Sequence, residues 1–374
     1  MSYELLRVIW WVLLGVLLIG FAILDGFDLG VAMWLPWLAK TDVDRRVIIN
    51  SIAPTWEGNQ VWFILGGGAI FAAWPDLYAV SFSGFYLAML MILLALIIRP
   101  VGFKYRSKVT EPRWRSFWDY ALFTSGLIPA LIFGVAVGNV LQGVPFHFDA
   151  NLRSFYTGNF WNLLNPFALL TGLLSVVMLA MHGAYFLNIK TVDYLQKRAI
   201  FVARIASILT VILFIFAGIC VKYCIDGYIT TTAILHHGPS NPLYKMVIHD
   251  HGAWLMNYQN YPLTLLMPLM GIILPLFAVM LIKYPKTAFV CSSLSLCGII
   301  ATVGVSMFPF ILPSSSVPNH SLLIWDSSSS ALTLLIMLIA TVIFLPIVLL
   351  YTSWVYKVLS GKVTDKTIVD NTSY

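Results

Sequence analysis

The sequence predicts an all-α polytopic membrane protein with nine spanning helices, the N-terminus outside and the C-terminus in the cytoplasm. Three observations carry that expectation. Asp, Glu, Lys and Arg make up only 10% of 374 residues, against about 25% in soluble domains. Sixty per cent of the chain is apolar and its mean hydropathy is +0.87, with apolar runs near or beyond the roughly 20 residues that a spanning helix needs. The basic residues, finally, divide very unevenly between alternate connections, which sets an orientation. A soluble enzyme, a disordered chain and a disulfide scaffold are excluded. The formal charge of +6 matters through its distribution and gives no reason to expect nucleic acid.

The apolar runs lie at 7–36, 50–73, 78–99, 118–141, 161–189, 200–222, 262–282, 287–311 and 331–356. The first is read as a span that stays, because Met1–Trp11 lacks a basic n-region and no small-residue cleavage site precedes its acids. An odd number of spans puts the termini on opposite sides. Lys40, Arg45 and Arg46 follow the first span, and Arg99, Lys104, Arg106, Lys108, Arg113 and Arg115 follow the third. With the connections at 190–204 and 283–286 and the tail, this set carries 18 Lys and Arg; the other set holds only four, Arg7, Arg153, Lys222 and Lys245. The richer set belongs in the cytoplasm. Two outer connections are long, 142–160 and 222–261, the second with four histidines. No Ser/Gly/Pro-rich linker divides the spans, so 1–374 reads as a single transmembrane domain. Trp10, Trp11, Trp34, Trp37, Trp74, Trp325 and Trp354 lie at span ends, as interfacial belts do.

A charged side chain in a spanning helix costs at least ~2.5 kcal/mol, so each is a functional candidate. Asp25 and Asp28, spaced i,i+3, share a face of the first span among Gly20, Gly26 and Gly30. Counted back from Pro36, they sit roughly 12–16 Å from the cytoplasmic boundary. Glu57 stands in the run Trp56-Glu57-Gly58-Asn59-Gln60-Val61-Trp62. If the second helix starts just after Arg46, Glu57 is about 16 Å deep; if Pro54 opens the helix, Glu57 is a first-turn carboxylate favoured by the helix dipole. Asp25 and Glu57 read best as a short proton relay reached from inside, since buried carboxylates can load and release protons near neutrality. Asp28 reads equally well as part of that path or as an interhelical hydrogen-bonding group. Trp62, deeper than Glu57, needs a partner for its indole N–H or simply fills a helix interface. Gly66-Gly67-Gly68 reads as a close-packing segment.

Six of the seven histidines, His147, His236, His237, His249, His251 and His320, fall in outer connections, and only His182 lies in a span. A bis-His haem needs two. His182 is therefore expected to be a hydrogen-bonded helix histidine, with a single axial ligand as the alternative. His249 and His251 form a weak metal signal, having no thiol or carboxylate motif around them. Cys220, Cys224, Cys291 and Cys297 show no C-x-x-C spacing and read as small apolar residues, so no metal site is expected.

The segments 20–30, 56–62, Phe71-Ala72-Ala73-Trp74-Pro75 and Phe82-Ser83-Gly84-Phe85-Tyr86 resemble subunit II of cytochrome bd-type quinol oxidases. So do Arg99-Pro100-Val101-Gly102-Phe103, Tyr105-Arg106-Ser107-Lys108, the run 138–146 and Met307-Phe308-Pro309-Phe310, with similarity reaching Trp325-Asp326 and the ninth helix. The resemblance implies two four-helix bundles plus a peripheral helix, paired in the bacterial inner membrane with a subunit I that carries haem b and haem d. Small accessory subunits join some complexes. It implies an enzyme complex that oxidises quinol and reduces oxygen to water, with protons drawn from the cytoplasm. Glu57 and Asp25 then belong to the proton path, and Trp62 stands beside oxygen access at the subunit interface. Some relatives hold a quinone in subunit II, which leaves a bound quinone open here without assigning residues to it. Glu57 also stands where Asp is commoner in the family.

A proton-coupled secondary transporter would also carry buried acids and many spans. It should show broken helices in corresponding positions of two halves, whereas the acids here cluster in the first two spans. The doublets Asp25-Gly26-Phe27 and Asp226-Gly227-Tyr228 hint at duplication, yet they fall on opposite sides of the membrane.

Overall fold

The computed structural model describes residues 1–364. Twelve α-helices run through them: α1 Tyr3–Leu38, α2 Asp42–Ile52, α3 Trp56–Ala73, α4 Pro75–Gly84, α5 Tyr86–Tyr105, α6 Pro112–Gln142, α7 Pro166–Lys190, α8 Asp193–Tyr223, α9 Met256–Asn260, α10 Leu266–Met280, α11 Pro285–Met307 and α12 Ala331–Val358. Four of them, α4, α6, α7 and α11, open on a proline, whose missing N–H is no loss in a first turn. The side chains of Ser2, Asn165 and Ser330 cap α1, α7 and α12. Thr41 and Asp44 close α2 with a reciprocal capping box.

Eight helices are long and apolar enough to cross a membrane, namely α1, α5, α6, α7, α8, the stretch Pro262–Met280, α11 and α12. α3 spans 18 residues but opens on Glu57, Asn59 and Gln60, which dilutes its hydropathy. The expected second span, 50–73, is thus two helices broken at 53–55, where Pro54 cannot donate the helical hydrogen bond. The expected third span, 78–99, also divides: its start belongs to α4, and α5 runs on to Tyr105. The other helices follow the apolar runs, with ends displaced by up to about seven residues. The chain is not wholly helical. Antiparallel pairs β1 Phe146–Phe148 with β2 Ser154–Tyr156, β3 Asp226–Thr230 with β4 Val247–His251, and β5 Phe310–Leu312 with β6 Leu322–Leu323 order the connections at one end. Lys366, counted among the basic residues of the tail, lies outside the described residues.

Helices α1, α3, α5 and α6 pack as one group and α7, α8, α10 and α11 as another, joined where α1 and α6 meet α7; α12 rests on α1 and α3. The joint is close. At Gly30 an added Cβ would stand 2.1 Å from the Leu179 carbonyl oxygen, and at Gly183 it would stand 2.4 Å from the carbonyl carbon of Gly30. Backbone meets backbone here, which only residues without a side chain allow.

The two ends differ in charge. At the basic end Arg106 is buried and binds Asp119 through Nε (2.5 Å) and Asp42 through Nη2 (2.8 Å). Arg45 adds a second contact to Asp119 and Arg115 one to Asp42. Arg198 donates to the carbonyls of Trp37 and Leu38, which α1 leaves open at its C-terminus. At the hairpin end Arg7 is fully buried without a carboxylate and donates to the carbonyls of His236 (2.6 Å) and Gly238 (3.1 Å) and to Ser240 and Ser328. Lys245 pairs with Asp326 at 2.6 Å beside it. Burial pushes the Asp326 carboxyl up and the Lys245 ammonium down even though each is the other's counter-charge, so desolvation outweighs their attraction.

Candidate functional site

Helical spacing places Asp25 and Asp28 on one face of α1, both buried. Arg99 of α5 donates from Nη1 to Asp25 Oδ1 at 2.9 Å, a buried ion pair. Asp28 has a different partner. Asn59 of α3 donates from Nδ2 to Asp28 Oδ2 at 2.7 Å, and Tyr356 of α12 donates to Asn59 Oδ1 at 2.7 Å. Four helices therefore converge on one polar line inside an apolar protein. Asp25 Oδ2, Asp28 Oδ1 and Arg99 Nη2 make no protein hydrogen bond.

The line ends at a cavity of about 270 Å³ at the basic end. Ser51, Thr55, Phe186, Lys190 and Tyr356 line it together with the turn that follows α12. A second cavity, about 360 Å³, lies between α5 and α6 under Phe160 and Trp161 and is lined by apolar residues alone.

Glu57 does not join the line. It occupies the first turn of α3, so the structure selects the helix-start alternative. Its side chain is exposed on the surface of this chain, and among the described residues no hydrogen bond or ion pair joins it to Asp25. Trp62, expected at the subunit interface, is instead 5% exposed and packs on Gly20, where an added Cβ would lie 2.7 Å from the indole. Its expected place beside oxygen access gains no support from this burial within the chain.

His182 is buried with both ring nitrogens engaged, Nε2 on the Ile23 carbonyl (2.9 Å) and Nδ1 on Ser292 (2.8 Å), and its ring stacks on Phe289. A carbonyl can only accept, so Nε2 carries the proton and, in the neutral ring, Nδ1 accepts. As folded, it offers no free nitrogen to iron. His249 and His251 point from β4, where His249 packs on Tyr228 and His251 pairs with Asp226 at 2.6 Å. No group of three metal-ligating side chains occurs among the described residues, and the four cysteines are free thiols.

Sequence reasoning missed Arg99 and Tyr356. Arg99 was counted in a connection, although Pro100-Val101-Gly102-Phe103 after it is one more apolar turn and signals that the helix continues. Tyr356 carries no local signal, because Asn59 is 297 residues away.

Comparison with known proteins matches residues 6–359 to the family described as cytochrome bd terminal oxidase subunit II. The chain belongs to that family. It is 51% identical over 373 residues to cytochrome bd-I ubiquinol oxidase subunit 2 of Escherichia coli strain K12, covering 99% of this chain and 98% of the relative. It is 31% identical over 362 residues to cytochrome bd ubiquinol oxidase subunit 2 of Bacillus subtilis, covering 96% and 97%. Its fold matches a chain of the bd oxidase from Geobacillus thermodenitrificans with a TM-score of 0.70 at 16% identity, over 94% of this chain and 98% of that one. A family of cytochrome oxidase subunits implies haem in the complex. His182, satisfied on both sides, does not fit a haem ligand as folded.

Proposed function

We propose that this chain is the second subunit of a complex that oxidises quinol and reduces oxygen to water, and that it supports a haem-bearing subunit I and helps bring cytoplasmic protons to it. The observation that carries this reading is the buried line from Asp25 and Arg99 through Asp28 and Asn59 to Tyr356, which ends at a polar cavity on the end rich in Lys and Arg. That end faces the cytoplasm by the positive-inside rule, which puts the N-terminus outside with α3 as the ninth span, in the bacterial inner membrane. The haems b and d reside on the partner. A proton-coupled transporter finds no support in the family relationship.

Glu57 enters through its surface position. A carboxylate facing lipid is costly, so the side of α3 that carries it is better placed against subunit I. Glu57, Val61, Ile64, Gly68 and Phe71 are all exposed there, at alternating spacings of four and three that form one seam along a helix. From that seam Glu57 can hand protons to the partner, with Asp25 and Asp28 behind it. Trp62, packed on Gly20 within the chain, is not part of that seam.

Oxygen consumption per haem in the purified complex tests the reading. Glu57→Gln should slow it while leaving haem content and quinol binding in place, and Glu57→Asp should restore part of the rate, since a shorter acid still bridges through water. Wild-type turnover in Glu57→Gln would remove Glu57 from the proton path. A complex without a haem difference spectrum would remove the oxidase.

A further inference from the structure

We infer that Asp28, and not Asp25, is the carboxyl that takes up and gives back a proton in this subunit, and that Tyr356 is the positioning residue that controls its access from the cytoplasmic cavity. The inference rests on the proton-uptake reading above and assigns the work within it. Asp25 is committed to Arg99 across 2.9 Å with both side chains almost fully buried. A carboxylate held by a guanidinium in a dry site is hard to protonate without stranding the cation. Asp28 is equally buried, but its partner is the neutral amide of Asn59, and its Oδ1 is unpartnered. No cation of its own holds it ionised, and one oxygen is free to carry hydrogen.

Access follows from the same contacts. Tyr356 lines the cavity and donates to the amide oxygen whose nitrogen donates to Asp28. An amide does not pass a proton on readily, so Asn59 fixes Asp28 Oδ2 and is no wire. Tyr356 lines the cavity, whereas Asn59 and Asp28, to which it is linked by hydrogen bonds, do not. Swung out of its bond to Asn59, Tyr356 lets water from the cavity reach the acid, and about 270 Å³ holds several waters. The step is a proton transfer without electron transfer: an O–H bond of hydronium in the cavity breaks as the Asp28 O–H bond forms, leaving water, and the Asp28 O–H bond breaks again as a basic group or water toward the partner takes the proton and the carboxylate is restored. This also explains why α12, which is almost wholly exposed along its apolar length, sends one hydroxyl into the core.

The assembled complex tests this by infrared difference spectroscopy of its protonated carboxyl bands together with oxygen consumption per haem. Asp28→Asn should abolish one carboxyl band and lower turnover at least tenfold with haem content retained. Tyr356→Phe should shift that band and lower turnover severalfold. The double variant Asp25→Asn with Arg99→Gln, which removes the ion pair without leaving a bare charge, should keep the band. Retention of every band in Asp28→Asn, or loss of the band only in the double variant, overturns the assignment. If Glu57→Gln slows the enzyme while Asp28→Asn and Tyr356→Phe run at the wild-type rate, proton uptake by this subunit stands and Asp28 is not its carrier. If none of the three slows it, the uptake reading itself falls.

Discussion

Gly30 and Gly183 show what a single side chain can decide. An added methyl at Gly30 would overlap the Leu179 carbonyl at 2.1 Å, and neither partner is a side chain that can turn away. Gly30→Ala should therefore destabilise the protein by about 3 kcal/mol or more, at the upper end of overpacking costs. Gly15, with nothing within 4 Å of the built position, should accept Ala with a gain of roughly 0.5–1 kcal/mol from helix propensity. Thermal melts of the two variants in detergent decide it; equal melting temperatures would show that α1 and α7 do not meet backbone to backbone. The same scale shows what a sequence does and does not disclose. Asp25 and Asp28 announce themselves because a charge within an apolar run is costly, whereas the difference between them depends on Arg99 and Asn59, which lie 74 and 31 residues away.

Elements at the basic end are held by charge as well as by apolar packing. The short α2 buries Val47, Ile48, Ile49 and Ile52 on one side, and on its polar side Asp42 and Arg45 tie it to Arg106 beyond α5 and to Asp119 and Arg115 on α6. Arg106→Ala should cost about 3–5 kcal/mol, since it leaves the buried Asp119 with one partially exposed partner. Arg115→Ala removes a pair in which both side chains remain accessible to solvent and should cost under about 1 kcal/mol. Comparable losses in a chemical denaturation series would contradict a burial-dependent network. The long helices were legible because hydropathy alone marks them. The break at 53–55 and the independence of α4 were less so: apolar residues continue across both, and only Pro54 and Pro75 mark them. The hairpins of the long connections were not legible, being strands of two to five residues whose partners lie across turns or long excursions of chain.

Across the whole molecule the two ends should respond differently to pH and to reagents. At the hairpin end burial, and then the charge of Asp326, push the Asp76 carboxyl up. Its folded-state pKa thus exceeds the unfolded value near 3.9, so its stabilising contribution is present below about pH 4 and is lost as pH rises through the raised value. Asp76→Asn should accordingly gain melting temperature relative to wild type as pH climbs above about 4, and then level off. A constant difference across that range would refute the shift. Orientation is tested with cysteines introduced at Lys108 and His249 in a chain lacking its four native thiols: an impermeant thiol reagent on intact cells should label position 249 and spare 108, and the reverse would invert the membrane placement. One further consequence concerns synthesis. α1 is made first, yet its acid at 25 acquires its counter-ion 74 residues later, its terminal carbonyls are covered by Arg198, 160 residues after Leu38, and Arg7 finds Ser328 only after 321 residues. The growing chain must therefore keep its first helix in the translocation machinery, or shielded by an insertase, until most of the subunit has been made, and truncated nascent chains ending before Arg99 should be the ones most readily extracted from the membrane.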